Sequence, residues 1–442
     1  MLKRGDILEV IISDLDEKGR GIAETKDRKI LIYFVIPGDF VKVKITRVRR
    51  KIAYGSLIEL KTPSKYRVKP KCRFFGQCGG CKLQNMDYHY QLYFKRKFVR
   101  RAFEGFNLDA HISKVDPSRP IWFYRNRMDY AVGQNLEVGL RKPEKWNEVV
   151  DIDECFLLSE RGNELLNIFR EFIRMREFKP FNTITREGFL RYLVLREGKF
   201  TSKRLVNIVT YLGEFRDIDE LVKRMASSGA TSIYWSINPR ITDISFGEEI
   251  RKIHGEEYLR EKIRDYVFNI HPNAFFQTNS YQAVKLIDYA AKLLDFRSND
   301  VLLDLYCGVG LFGIALHSYV DRVIGLELDR EAIKCAEINA LENDARNVKL
   351  ICGRAEDLVK HLKERINLAI VDPPRPGLHP KVIKALLKIE PREILYVSCN
   401  PNTMARDIAL LSKKYKLDDK IRLIDMFPQT PHVEAMAKLV RR

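Results

Sequence analysis

The stretch Val301-Leu302-Leu303-Asp304-Leu305-Tyr306-Cys307-Gly308-Val309-Gly310-Leu311-Phe312-Gly313 decides the fold. A short apolar run gives way to a glycine-rich loop and then to a second apolar run, the pattern of a buried strand feeding a helix. Glycines let the loop backbone approach a ligand at the helix N-terminus. Working outward, buried strands are predicted over 301–305, 322–327, 349–352, 368–372 and 394–399, with helical periodicity between them. Strands alternating with helices imply an open α/β sheet of parallel strands. Glu327 closes the second strand, nineteen residues after Gly308, where a carboxylate can accept hydrogen bonds from both hydroxyls of a ribose.

The loop therefore reads as a nucleoside-cofactor site. Gly308, Gly310 and Gly313 also satisfy the dinucleotide spacing, so glycines alone do not separate a nicotinamide cofactor from S-adenosylmethionine. Asp304 shifts the balance toward the latter, because a carboxylate pointing into the loop repels a pyrophosphate and suits a cationic sulfonium, with a phosphate-binding or merely tight-packed turn as the alternatives. Ligands on such sheets sit beyond the carboxyl ends of the strands, and two later strand ends carry reactive chemistry. Asp372 precedes Pro373-Pro374-Arg375, which hold an extended turn. Cys399 lies immediately before Asn400-Pro401, a cap and first residue for a helix, and a thiol at a helix N-terminus tends toward a lowered pKa. Cys307, Cys335 and Cys352 read as buried filler. Near the end, Pro431-His432-Val433-Glu434 offers His432 and Glu434 as proton acceptors on a stiffened segment.

The first sixty residues alternate instead with period two. Val41, Val43 and Ile45 interleave with Lys42, Lys44 and Thr46, and Gly19-Arg20-Gly21 and Pro37-Gly38-Asp39 mark turns. About five short strands with basic outer faces suggest a small barrel. A helix is predicted over 88–106 and another over 164–176, with a strand at 204–211. Cys72, Cys78 and Cys81 cluster with metal-ligand spacing, and Cys155 is the candidate fourth ligand. Spacing alone favours structural zinc. The formal net charge of +19 suits a polyanionic partner, namely nucleic acid. No apolar run approaches a membrane span and the N-terminus carries no signal-like segment, so a cytoplasmic location and no membrane partner are expected.

Taken together, Phe275-Phe276-Gln277-Thr278-Asn279, the Asp304 loop, Asp372-Pro373-Pro374-Arg375, Ser398-Cys399-Asn400-Pro401 and His432-Val433-Glu434, in this order, resemble the RNA uracil-C5 methyltransferase family over nearly the whole chain. The resemblance implies three parts: a TRAM β-barrel, OB-like and RNA-binding, over 1–60; a central α+β domain with a four-cysteine iron–sulfur site over 61–270; and a class I, Rossmann-like methyltransferase sheet over 271–442. It makes Cys399 the nucleophile toward uracil C6, Glu434 the base that removes the C5 proton, and Asp372 the contact to the base edge. Gln277, Asp304, Tyr306, Gly308, Glu327 and Asp372 would line the S-adenosylmethionine site, with Phe275 stacked on the target beside Gln277. It turns Cys72, Cys78, Cys81 and Cys155 from zinc ligands toward a [4Fe–4S] cluster.

The implied product is 5-methyluridine in structured RNA, with 23S ribosomal RNA favoured and the T-loop uridine at position 54 of tRNA as the alternative. A non-catalytic RNA-binding protein is the competing class, and a monomer is expected. A radical S-adenosylmethionine enzyme is disfavoured because the Cys-x3-Cys-x2-Cys spacing is absent.

Overall fold

The glycine-bearing strand Val301–Leu305 lies inside a nine-stranded sheet in the computed structural model, which describes residues 2–26, 28–418 and 420–442. Arg322–Glu327 and then Val348–Cys352 pair in parallel on one side of it. Leu368–Val371 and Glu393–Ser398 pair in parallel on the other. The chain leaves the middle of the sheet in one direction and restarts in the other, so a crevice opens beyond the strand ends where the order reverses. Leu368–Val371 and the 394–397 stretch of its neighbour are continuously apolar because helices cover both faces. Leu302 packs into one core with Leu286 and Ile287 of the helix Ser280–Leu293. Leu303 and Leu305 pack into the opposite core with Leu386, Met404 and Ile408, from the helices Pro380–Ile389 and Pro401–Leu411.

Beyond Glu393–Ser398 the sheet turns antiparallel through Glu434–Arg441 and Ile421–Ile424. Its far edge is Ile112–Asp116, parallel to Ile421–Ile424 and from a segment the sequence reading assigns to the central region. The strand escapes detection because only Ile112 and Val115 of its five residues are apolar and buried. The basic helix Tyr88–Glu104 covers it, capped by the Asp87 carboxylate, which accepts from the His89 and Tyr90 amides.

Residues 7–62 form a six-stranded sheet in the order Ile7–Ile11, Phe40–Arg49, Ile52–Thr62, Lys29–Ile32, Gly21–Glu24, Asp14–Leu15. Val41, Val43 and Ile45 point inward, leaving Lys42 and Lys44 on the outer face, as the alternation requires. Asp14 ties this unit to the body through Lys97 and Arg101 of the basic helix. The middle of the chain builds a seven-stranded mixed sheet in which Leu190–Glu197 is buried along its whole length. The helix predicted over 164–176 begins earlier, at Glu160, because the Ser159 hydroxyl accepts from the Gly162 amide and caps it. No described helix is long and apolar enough to cross a membrane.

Candidate active site

Sheet register assembles the site. Val371 pairs with both Leu305 and Tyr396, so Tyr306, Asp372 and Cys399 emerge at neighbouring strand ends. Ser398 pairs with Ala435 in the antiparallel direction, and one further step along that register sets Cys399 opposite Glu434. Asn400 caps the following helix through the Asn402 amide at 3.2 Å, and Pro401 is its first residue, as the sequence predicts.

On the cofactor side, the Asp304 Oδ2 accepts from the Gly313 amide at 2.8 Å, while its Oδ1 is buried without a hydrogen-bond partner. Burial pushes this carboxyl up to about 7, and the nearby Glu327 adds to the rise. Glu327 accepts from the Gly308 amide at 3.0 Å and from the Leu328 and Asp329 amides. Tyr306 and Gly310 take left-handed backbone, with φ of 64° and 89°. At Gly310 a Cβ would come within 2.6 Å of Ile314, which is why glycine stands there.

On the opposite side, Gln277 donates from Nε2 to Asp372 Oδ2 at 3.0 Å. Asn126 holds the Gln277 strip, donating from Nδ2 to the Gln277 carbonyl and from its amide to the Thr278 carbonyl. Burial, and Asp304 after it, raises Asp372 to about 7. Glu434 is buried and rises well above the usual carboxylate range, through burial first and then Asp372. The lowered pKa expected for Cys399 from its helix is overturned. Burial and the Glu434 and Asp372 charges push the thiol up to about 11, against a downward pull from the Arg375 guanidinium. Desolvation and like charge outweigh a helix terminus here. His432 is pressed down to about 3 by burial and by Arg375, whose Nη2 lies 3.4 Å from its Nε2. It therefore stands as a neutral imidazole, which leaves Glu434 as the stronger base.

Sequence reasoning missed the residues that hold this side together. Gln429, left-handed at φ 69°, accepts on its carbonyl from the Lys82 and Leu83 amides, both at 3.0 Å. Its side chain and amide both bond to Gln91. Lys95 is fully buried, pairs with Asp425 and donates to the Phe427 carbonyl at 3.0 Å. Tyr124 donates to the Pro428 carbonyl, also at 3.0 Å. The segment that delivers Glu434 is thus fastened by residues more than three hundred positions earlier in the chain. Only the unusual density of Pro and polar residues around 427–432 hints at this.

A cavity of about 670 Å³ opens on this side. Phe275, 61% exposed, lines it with Arg375, His432, Arg125, Arg127 and Lys82. Behind it, Cys72, Cys78, Cys81 and Cys155 all line one small recess, so the four thiols do converge. The Gly80 amide donates to Cys78 Sγ at 3.3 Å. Among the described residues, however, no group of three or more cysteine, histidine, aspartate or glutamate side chains is arranged to hold a metal ion.

Comparison with known proteins fits this geometry. Residues 240–442 match the family described as tRNA (uracil-5-)-methyltransferase, and residues 2–58 match the TRAM domain. The chain is 41% identical to a tRNA (uracil(54)-C(5))-methyltransferase of Pyrococcus horikoshii, over 97% of this chain and 99% of the relative. It is equally similar, at 41%, to an uncharacterized RNA methyltransferase of Nanoarchaeum equitans, over 97% and 92%. The crystal structure of the Pyrococcus abyssi tRNA (uracil-54, C5)-methyltransferase with S-adenosyl-L-homocysteine superposes with a TM-score of 0.81 at 38% identity, covering 98% of this chain and 100% of that one.

Proposed function

The chain belongs to the tRNA (uracil-5-)-methyltransferase family and is an S-adenosylmethionine-dependent RNA (uracil-C5) methyltransferase; from that premise we propose that its substrate is tRNA and its target the uridine at position 54. Two of the relatives named above, those of Pyrococcus horikoshii and Pyrococcus abyssi, carry that specificity in their names, which moves the reading away from the 23S ribosomal RNA favoured on sequence alone. The observation that carries the chemistry is the register that sets Cys399 beside Glu434, at a strand end next to Asp372 and the Asp304 loop.

The Cys399 thiol gives up its proton to solvent water, and the thiolate adds to C6 of the uracil. The C5–C6 pair shifts to C5 and O4, and C5 becomes a carbon nucleophile, which free uracil is not. S-adenosylmethionine, when bound, would supply an electrophilic methyl group for C5 and leave as the neutral thioether. The residues present fit it: the orphaned Asp304 Oδ1 and the Glu327 carboxylate suit a cationic ligand with a ribose. Glu434, with its raised proton affinity, takes the C5 proton. The released pair re-forms C5=C6 and expels the Cys399 thiolate. Arg375 stabilises that thiolate, Asp372 with Gln277 reads the base edge, and Phe275 stacks on it. The target must be unstacked to enter such a cavity.

The cysteine quartet belongs to the same proposal as ligands of a [4Fe–4S] cluster. Four cysteines around one recess supply the all-thiolate ligand set that such a cluster takes, with structural zinc as the alternative. The methyl transfer needs no electron, so its role is to brace the segment that runs on into Lys82 and Leu83.

Incubation with unmodified tRNA and with 23S ribosomal RNA, each with isotope-labelled methyl donor, tests the substrate. The expected product is 5-methyluridine at tRNA position 54, absent with Cys399→Ala. Label confined to ribosomal RNA would overturn the assignment.

A further inference from the structure

The cavity lined by Phe275, Arg375 and His432 has a second aromatic wall that methyl transfer does not use. Phe246 lines the same cavity as Phe275 and is 44% exposed. It sits in the connection between the strands Ser232–Ile237 and Glu249–Gly255. Both of its neighbours are tethered. The Ser245 hydroxyl donates to Asp129 at 2.7 Å, and the Gly247 carbonyl accepts from Asn273 Nδ2 at 2.8 Å. Asn273 stands two residues before Phe275, so one side chain stitches the two aromatic walls together. A Cβ at Gly247 would fall 2.4 Å from that of Ser236, which fixes the loop against the sheet.

The surroundings are cationic. Arg127 lies 5.6 Å from the centre of the Phe246 ring and is clamped to Asp129 by two hydrogen bonds of 2.8 and 3.1 Å. Arg196 also lines the cavity; it is 3% exposed, donates to the Ala274 carbonyl, and its Nε has no hydrogen-bond partner. Asp129 is the acidic group facing both arginines. A buried arginine with an idle donor, beside a half-exposed ring under a second arginine, is the combination that holds a base and its phosphate. The cavity also offers more room than one uracil ring fills.

We propose that Phe246 is a second base platform: a nucleotide adjoining the target uridine stacks on it, with its phosphate toward Arg127 and Arg196. This rests on the RNA reading above. It would keep the neighbour from restacking on the target and so hold the target uridine out toward Cys399.

Unmodified tRNA transcripts carrying 2-aminopurine at either neighbour of the target uridine test it, with wild type, Phe246→Ala and Phe246→Tyr compared. One of the two labels should change its fluorescence on binding to wild type. That change should vanish in Phe246→Ala, with tRNA binding roughly tenfold weaker, and return in Phe246→Tyr. S-adenosylmethionine affinity and melting temperature should be the same in all three. Wild-type behaviour of Phe246→Ala in fluorescence and binding would overturn the subsite alone. A wild-type protein that methylates no tRNA would instead overturn the reading beneath it.

Discussion

The two halves of the catalytic crevice are built in opposite ways. The cofactor half comes from one continuous stretch, Asp304 to Glu327, and is pinned by its own backbone through the Gly313 and Gly308 amides. The target half gathers Gln277, Asp372, Cys399 and Glu434 from separate segments and is fastened by Lys82, Leu83, Gln91, Lys95 and Tyr124. A site made locally tolerates distant change; one made by long-range ties fails when any tie is cut. The contrast predicts that remote substitutions uncouple chemistry from cofactor binding, while local ones do the reverse.

The sharpest break comes inside the target half. Glu434→Gln removes the base but leaves the nucleophile. Turnover should fall by about 10²–10⁴, and a methylated protein–RNA adduct should accumulate on denaturing gels. Equal loss with no adduct would mean that Glu434 acts before methyl transfer.

A remote break comes next. Lys95→Met leaves the buried Asp425 without its cation, holding only the Tyr88 hydroxyl, and releases the Phe427 carbonyl. Removing one partner of a buried pair costs about 3–5 kcal/mol. The variant should unfold at lower denaturant and lose kcat while its cofactor affinity holds within about twofold, a split that simple instability would not give. Pairing it with Asp425→Leu should restore part of the stability, since the uncompensated charge goes while the Tyr88 hydroxyl loses its acceptor.

The smallest effect lies in the cofactor half. Asp304 is raised to about 7 against an ordinary value of 3.8, so the folded state binds its proton more tightly than the unfolded chain. Below pH 4 the group is neutral in both states and costs nothing. As pH climbs from about 4 to 7 the unfolded state ionises first, and stability is lost. Asp304→Asn should remove this part of the pH dependence. The ligand-free variant should melt higher than wild type at pH 8 and the same at pH 3.5, while binding S-adenosylmethionine about tenfold more weakly. Titration calorimetry and thermal melts at the two pH values check both.

The same contrast governs what the sequence made legible. The strands 301–305 and 322–327 are where periodicity puts them, because a strand buried on both faces announces itself as an apolar run. The third and fifth start one residue earlier than predicted, at Val348 and Glu393, and Pro373 helps end the fourth at Val371. Asp304 and Glu327 were legible because each sits on a strand that its own apolar run announces. Ile112–Asp116 was not, being a half-polar edge strand recognisable only by its partner. Gln429, Gln91 and Lys95 were not, since nothing in a local window says that a glutamine will meet another across the fold. The direction of the Cys399 shift was misread for the same reason: the helix is local, but Glu434 and the burial that dominate arrive from elsewhere. The four cysteines converge on one recess, as their spacing suggests.

Trapping with 5-fluorouridine tests the central claim most directly. Fluorine at C5 cannot leave as a proton, so RNA carrying it at the target should stall after methyl transfer as a complex stable to denaturation. Wild-type protein with methyl donor should give that complex, with the cross-link mapped to Cys399, and Cys399→Ala should give none. No complex from the wild type, or an equal yield from Cys399→Ala, would contradict the account.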